Sequence, residues 1–313
     1  MADKGFEHIS ANILRLIMAP MSNQEAYWLS SERKFMDFAT SSQIYMLAQR
    51  EEILFANIRV TDGEKPAITF DLEGVSFEAR NIRLELNQPF FAKFGSDFDI
   101  EYGPKVLKFI APEHFEYLTI EKLAFAKSHA KLEIEIPNLD TINTFRLHYV
   151  GISKDRDSMR RLFADGHQGR TNILTNGFPI KPGARLTDEL FILLFAVETL
   201  QFKTYAVGGD FSKFGDASAI TQSLLVADAE KAFLKFLKTE YNTETFENYP
   251  KGRDGLYNLD LDGYMYSLGE DLKLTTDTAE LRGSFEPIAS ARRGMRADCI
   301  VIRGNTVTLV RAG

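Results

Sequence analysis

The sequence predicts an α+β protein, and three stretches of patterning carry that expectation. Residues 1 to about 53 set apolar side chains three and four positions apart, as on one face of a helix. Residues 54 to about 136 alternate apolar and polar with period two, and residues 144 to 242 switch between short strand-like runs and helix-like ones. The expected organisation is a helical then β-rich N-terminal domain over 1–130, suited to recognition or partner binding. A small α/β domain over 131–250 and a β-containing C-terminal extension over 251–313 follow.

Each element has its own signal. HISANILRLIM and SSERKFMDFATSSQIYMLAQREEIL read as two or three helices, with serines placed as N-caps. AITFDLEGVSFEA, NIRLELNQ, FDIEYG and KLEIEIP read as strands punctuated by DG, QP, YGP and AP turns. FRLHYVGIS is a short strand, DSMRRLFADGH a helix, and ELFILLFAVETLQ a buried strand or helix. SAITQSLLVADAEKAFLKFLKTEY is a long helix whose stripe is Leu224, Leu225, Ala229, Ala232, Phe233, Phe236 and Leu237, with Glu230 beside that stripe at a core edge. The tail ADCIVIRGNTVTLVRAG is two β-rich runs joined at Gly304-Asn305, a terminal hairpin.

Composition bounds the function. With 313 residues, 44% hydrophobic and 26% charged, the chain is long enough to bury a core. A formal net charge of −7 argues against a protein that coats nucleic acid nonspecifically, which needs clustered Lys and Arg. Locally the balance reverses: Arg146, Lys154, Arg156, Arg160, Arg161 and Arg170 stand against Asp155, Asp157 and Asp165, a segment suited to phosphate. No apolar run approaches the roughly 18 to 20 residues of a membrane span, and MADKGFEHIS lacks the layout of a secretion signal, so a cytoplasmic setting without a membrane partner is expected. Cys299, the sole cysteine, reads as a core residue. VGGDFSKFGD has glycines without the GK[ST] of a P-loop, no Cys/His cluster marks zinc, and no G-x-S-x-G marks an esterase. Asp262 followed by Asp271 and Lys273 is a pattern that acidic hairpins often produce.

Four features fall in order: YVGIS at 149–153, a pair of arginines on the next helix, Glu230, and Asn242 twelve residues after Glu230. Together they resemble the GIY-YIG endonuclease family over residues 131–250. The resemblance implies a small α/β domain and metal-dependent hydrolysis of phosphodiester bonds in nucleic acid, with DNA favoured. Glu230 would hold a single Mg²⁺ or Mn²⁺, Arg160 or Arg161 would fork onto the phosphate, Tyr149 would help activate water, and Asn242 would shape the site. The residue types suit that chemistry, because one carboxylate can hold a hydrated metal ion as a Lewis acid and a guanidinium offsets phosphate charge in the transition state.

His167 lies seven residues after Arg160, roughly the same helix face if the helix survives Gly166, as a second acid/base group or phosphate ligand. Strand alternation turns His148 and Tyr149 to opposite faces. The family's first tyrosine belongs about ten residues before Tyr149, where Leu139 stands, so half of the name-giving motif is missing. That gap supports a competing expectation, a non-catalytic nucleic-acid-binding or sensor module.

Overall fold

The computed structural model describes residues 6–63, 66–95, 97–153, 158–163, 166–205, 220–287 and 295–313. The chain opens with β1 (Phe6–Leu16), β2 (Met21–Ser22), α1 (Asn23–Leu29), α2 (Arg33–Ala39) and β3 (Ile44–Gln49). A long excursion follows: β4 (Leu54–Thr61), β5 (Ala67–Glu73), β6 (Glu78–Glu85), α3 (Gln88–Phe94), β7 (Asp99–Gly103), β8 (Val106–Ala111), β9 (His114–Leu118), α4 (Ile120–Ser128) and α5 (Leu139–Ile142). The chain then returns through β10 (Thr144–Ile152), α6 (Ser158–Phe163), α7 (Gln168–Asn176), α8 (Leu186–Glu189), β11 (Leu190–Tyr205) and α9 (Gln222–Phe236). It closes with β12 (Gly263–Leu268), β13 (Lys273–Thr275), β14 (Glu280–Arg282), β15 (Cys299–Arg303) and β16 (Thr306–Val310).

This architecture overturns the expected fold class. Strand outweighs helix among the described residues, 38% to 24%, and the chain builds no separate small α/β GIY-YIG-like domain behind a helical N-terminus. It builds one large curled mixed sheet in the order β14-β13-β10-β3-β11-β1-β12-β15-β16, with β2 paired to β11. Strands from residues 1–53, 131–250 and 251–313 lie side by side in it, while those of 54–136 form two separate three-stranded sheets.

Within the N-terminal stretch, α2 falls in the expected helical run, and the runs HISANILRL and IYMLAQ depart from expectation. HISANILRL forms β1, hydrogen-bonded to β11 on one side and β12 on the other, and IYMLAQ forms β3 with all six residues buried. β1 alternates His8, Ser10 and Asn12 with Ile9, Ala11 and Ile13 and carries the strand period in its sequence. β3, enclosed on both faces, is apolar at nearly every position, and over so short a run that pattern cannot be told from a helical one. The same ambiguity in ELFILLFAVETLQ resolves to strand, as β11. The expected terminal hairpin is present as β15 and β16, with Gly304 at φ +53 in its turn.

Two faces of the sheet are covered by different layers. Ile44, Met46 and Ala48 of β3, with Phe191, Leu193 and Phe195 of β11, pack against Leu225, Ala229, Ala232 and Phe233 of α9. The alternate residues, Tyr45 and Leu47 with Leu190, Ile192 and Leu194, pack against Ala26, Ala39, Met159, Leu162 and Ile173 from α1, α2, α6 and α7. This is period-two alternation in which both faces are core.

The excursion between β3 and β10 has a core of its own, built from the sheets β4-β5-β6 and β7-β8-β9 and from α4, and centred on Phe55, Phe70, Leu72, Phe109 and Leu123. Its two ends are held together by Arg50. That buried guanidinium donates from Nη1 to the carbonyl of Ile142 at 2.9 Å and from Nη2 to Glu121, while its plane lies over Phe191 with 4.8 Å to the ring centroid. Glu51 beside it accepts the backbone N–H groups of Val75 and Ser76. The joint that brings β3 back to β10 is therefore a charged, desolvated contact.

Replacing Arg50 by Ala strands the Glu121 carboxylate in a buried place, since the two side chains are only 5% and 10% exposed. Removal of one partner of such a pair costs about 3–5 kcal/mol. The Arg50→Ala midpoint of urea unfolding should fall accordingly, and Arg50→Ala combined with Glu121→Leu should recover much of the loss. An Arg50→Ala protein as stable as the wild type would show that the joint contributes nothing.

Candidate functional site

Two tyrosines stand side by side where the sheet begins its central pairing. β3 and β10 run antiparallel, Tyr149 opposite Leu47 and Gly151 opposite Tyr45, and the rings of Tyr45 and Tyr149 stack with centroids 6.2 Å apart. The register shifts between Leu147 and Tyr149, so His148 is an extra residue on its strand, a β-bulge. Without it Tyr149 would follow Phe145 and Leu147 onto the α9 side. With it Val150 and Ile152 take that side and Tyr149 turns toward Tyr45. Simple alternation therefore fails at His148. The two residues do have separate surroundings: His148 Nε2 lies 2.9 Å from Gln49 Oε1, its ring meets Tyr241, and burial pushes its pKa down to about 4.

Two glycines leave room for the rings. A Cβ on Gly151, the glycine of YVG, would lie 2.5 Å from the hydroxyl and Cζ of Tyr45 and 2.6 Å from Cε1 of Tyr149. A Cβ on Gly169 would lie 2.8 Å from Cε2 of Tyr149. The glycine is in the motif because the aromatic pair occupies the volume that any side chain would need.

His167 is the third member, though not for the expected reason. The helix does not survive Gly166, which sits at φ +69, so His167 shares no helix face with Arg160. It is instead the N-cap of α7. Its Nδ1 accepts the N–H of Arg170 at 2.8 Å, which puts the proton of the neutral ring on Nε2, and that N–H donates to the Tyr45 hydroxyl oxygen at 2.8 Å. Burial, with Arg161 and Arg170 nearby, holds the His167 pKa down at about 4, so the neutral form persists. Its ring also meets Tyr149 edge-on, centroids 5.0 Å apart.

Arg161 and Glu230 complete the group. The Arg161 guanidinium lies near the hydroxyls of both tyrosines and offsets part of the rise that burial causes in their pKa values. Its neighbour Arg160 is exposed, about 100° further round α6. Glu230, half-buried on α9, acts electrostatically on Tyr45, Tyr149 and Arg161 although α9 packs on the other face of the sheet. Tyr45, Tyr149 and His167 are thus in ring contact, with Arg161 and Glu230 within electrostatic reach of them.

Asn242 holds the framework. Its Oδ1 accepts the N–H of Val150 at 2.9 Å and its Nδ2 donates to the Val150 carbonyl at 2.8 Å, while Thr239 donates to the same Oδ1. β13 pairs only with Thr144 to Arg146, so the outer edge of β10 is open beyond that point, and Asn242 with the N–H of Tyr241 occupies it. The amide imitates a strand partner one residue from Tyr149.

Sequence reasoning missed Tyr45. The ten-residue rule pointed at Leu139, which begins α5 and packs in the core of the excursion. The signal that finds Tyr45 is SQIYMLA, an Ile-Tyr entering an apolar run, and it lies more than a hundred residues upstream. Arg170 is partly buried, its guanidinium over Phe163 at 4.3 Å and its Nε donating to Asn23 at 2.6 Å. Lys154, Asp155, Arg156, Asp157, Asp165 and the loop AVGGDFSKFGD lie outside the described residues. Asp262 accepts the N–H of His8 and Asp271 that of Phe285, both bracing turns. Among the described residues no group of three or more His, Cys, Asp or Glu could hold a metal ion, and no helix is long and apolar enough to cross a membrane. Compared with protein-family models, with curated proteins and with solved structures, the chain matches none.

Two outcomes follow from this packing. Gly151→Ala forces the tyrosines apart and should cost about 1–3 kcal/mol, as overpacking of a filled site does; a melting temperature equal to wild type would show the pair to be loosely held. The second is a pH window. His167 has a folded pKa near 4 against 6.5 unfolded, so between those values the unfolded chain binds more protons and stability falls as pH drops. His167→Asn keeps a cap for α7 without a titrating ring. Its stability relative to wild type should rise by on the order of 2 kcal/mol from pH 7 to pH 4, after discounting for solvent screening. A constant difference across that window would mean that His167 is not held neutral.

Proposed function

We propose that the protein is a metal-dependent endonuclease acting on nucleic acid, with DNA as substrate, and that it is related to GIY-YIG endonucleases through its reacting group. The observation that carries this reading is the contact of Tyr45, Tyr149 and His167, with Arg161 and Glu230 within electrostatic reach of the two hydroxyls. Tyr45, stacked on Tyr149, supplies a second phenol beside it, and this supports the catalytic reading over a non-catalytic module.

The donor set suits a hydrated divalent ion. Glu230 offers one carboxylate within electrostatic reach of the two phenols and of Arg161, a sparse donor set of the kind that would leave Mg²⁺ most of its water shell. In this reading Glu230 holds a single Mg²⁺ or Mn²⁺, which when bound supplies Lewis-acid polarisation of the phosphate. The protein's own groups do the rest. Arg161 forks onto the phosphate oxygens and offsets the charge that grows on them. Tyr149, kept protonated by burial, orients the attacking water by hydrogen bonding. The Tyr45 oxygen accepts from His167 Nε2, which orients the Tyr45 hydroxyl to donate its O–H to the phosphate and offset the charge that grows there. Asn242 keeps β10 straight at Val150 and so fixes Tyr149. The setting in this reading is the cytoplasm, where the buried thiol of Cys299 stays reduced.

A plasmid-nicking assay with Mg²⁺ or Mn²⁺ tests the reading. Glu230→Gln should abolish nicking with little change in fold, because the amide keeps the shape and loses the charge. Arg161→Ala should cost on the order of 2–4 kcal/mol of transition-state stabilisation and Arg160→Ala far less. Tyr149→Phe and Tyr45→Phe should each remove cleavage, while His148→Ala leaves it nearly unchanged. Full nicking by Glu230→Gln, or equal and small effects at the two arginines, would sink the assignment.

A further inference from the structure

The surface beside this group carries an unusual set of exposed rings. Tyr27 and Trp28 on α1 are 64% and 65% exposed and Phe38 on α2 is 51% exposed, while Ala26, Leu29, Phe35, Met36 and Ala39 of the same helices face the core. Helices this short already bury what anchors them, so three outward aromatic rings are surplus to folding. The patch is continuous with the candidate site: Tyr27 meets Phe163 with ring centroids 6.4 Å apart, Arg170 lies over the other part of that contact at 4.3 Å from the Phe163 ring, and Arg170 gives its N–H to His167. α2 packs on α6, the helix of Arg160 and Arg161.

Charge selects the occupant. Arg33 and Lys34 on α2 and Arg160 and Arg161 on α6 are exposed, with Arg170 over Phe163, against Glu25 on α1, Glu32 just before α2 and Asp37, which pairs with Arg33 at 3.8 Å. In a chain of net charge −7 this is a locally basic, aromatic surface. Flat rings interleaved with guanidinium groups bind unpaired nucleobases, the bases stacking on the rings and the phosphates meeting the cations.

We infer that Trp28 and its neighbours Tyr27 and Phe38 form a stacking platform for unpaired bases of single-stranded DNA, next to the phosphate held at Arg161. The inference rests on the nuclease reading for its substrate class and narrows that substrate to DNA with an unpaired segment beside the cut, such as a flap, a bubble or a frayed end.

The test uses the single tryptophan of the chain. Intrinsic fluorescence of the full-length protein is titrated, with chelator present so that nothing is cut, with an oligothymidylate, an abasic strand of equal length, an RNA of equal length, and a fully paired duplex. The expected result is strong quenching by oligothymidylate and little by the abasic strand or the duplex. Trp28→Ala should lower the affinity for a dye-labelled single strand about tenfold, as loss of one base stack does, with the melting temperature unchanged. Equal quenching by the abasic strand would show plain charge attraction and overturn the inference. A response to RNA alone, or a blue shift on raising protein concentration without any strand, which would mean a second copy covering the rings, would also overturn it. Quenching with the expected selectivity in a protein that cleaves nothing would leave the platform standing and sink the nuclease; cleavage with Trp28→Ala binding unchanged would do the reverse.

Discussion

The pairing of β3 with β10 is the contact on which the rest of the structure depends. It sets Tyr45 against Tyr149, gives α9 and the α6/α7 layer a floor to pack on, and creates the edge that Asn242 occupies. The two strands are separated in sequence by residues 50–143, which looks costly. The cost is modest, because loop closure grows only logarithmically, about 0.6 kcal/mol for each doubling of length. The excursion also folds around its own core, and Arg50 ties its entry to Ile142 at its exit, so the closure is made by packing that exists anyway.

That arrangement explains what the sequence showed and what it hid. Local features were legible. The helix from Gln222 starts at Thr221, whose Oγ1 accepts the N–H of Leu224, and it carries Glu230 beside its apolar stripe. The turn at Gly304 was also readable, because it rests on residues within a few positions. What could not be read depends on distant partners. β3 looked helical because a strand enclosed on both faces has no polar face to betray its period. β1 alternates His8, Ser10 and Asn12 with Ile9, Ala11 and Ile13, a strand period masked by the helix-like spacing of its later apolar residues. Tyr45 was invisible as a site residue because its partner lies beyond an inserted core, and no local spacing encodes an insertion.

The departures at Tyr149 and His167 have the same origin. One extra residue at His148 turns the tyrosine to the opposite face, and a glycine at positive φ ends α6 so that His167 begins a new helix pointed at Tyr45. Both irregularities break a periodic pattern, and both aim a polar side chain at the same spot. Breaks in regularity that converge in this way are where sequence rules are expected to fail, since local geometry there answers to chemistry before propensity. The network is also well buffered electrostatically: burial keeps the phenols protonated and His167 neutral, while Arg161 and Glu230 bring opposite charges to the same hydroxyls.

The central claim is that Tyr45, Tyr149 and His167 surround the position where Glu230 holds a divalent ion. Paramagnetic broadening by Mn²⁺ measures this without any reference to activity. In protein labelled at the ring positions of histidine and tyrosine, the account predicts that substoichiometric Mn²⁺ broadens His167, Tyr45 and Tyr149 first, leaves His8 and His114 sharp, and loses this selectivity in Glu230→Gln. Broadening that is uniform across the rings, or unaltered by Glu230→Gln, would contradict it.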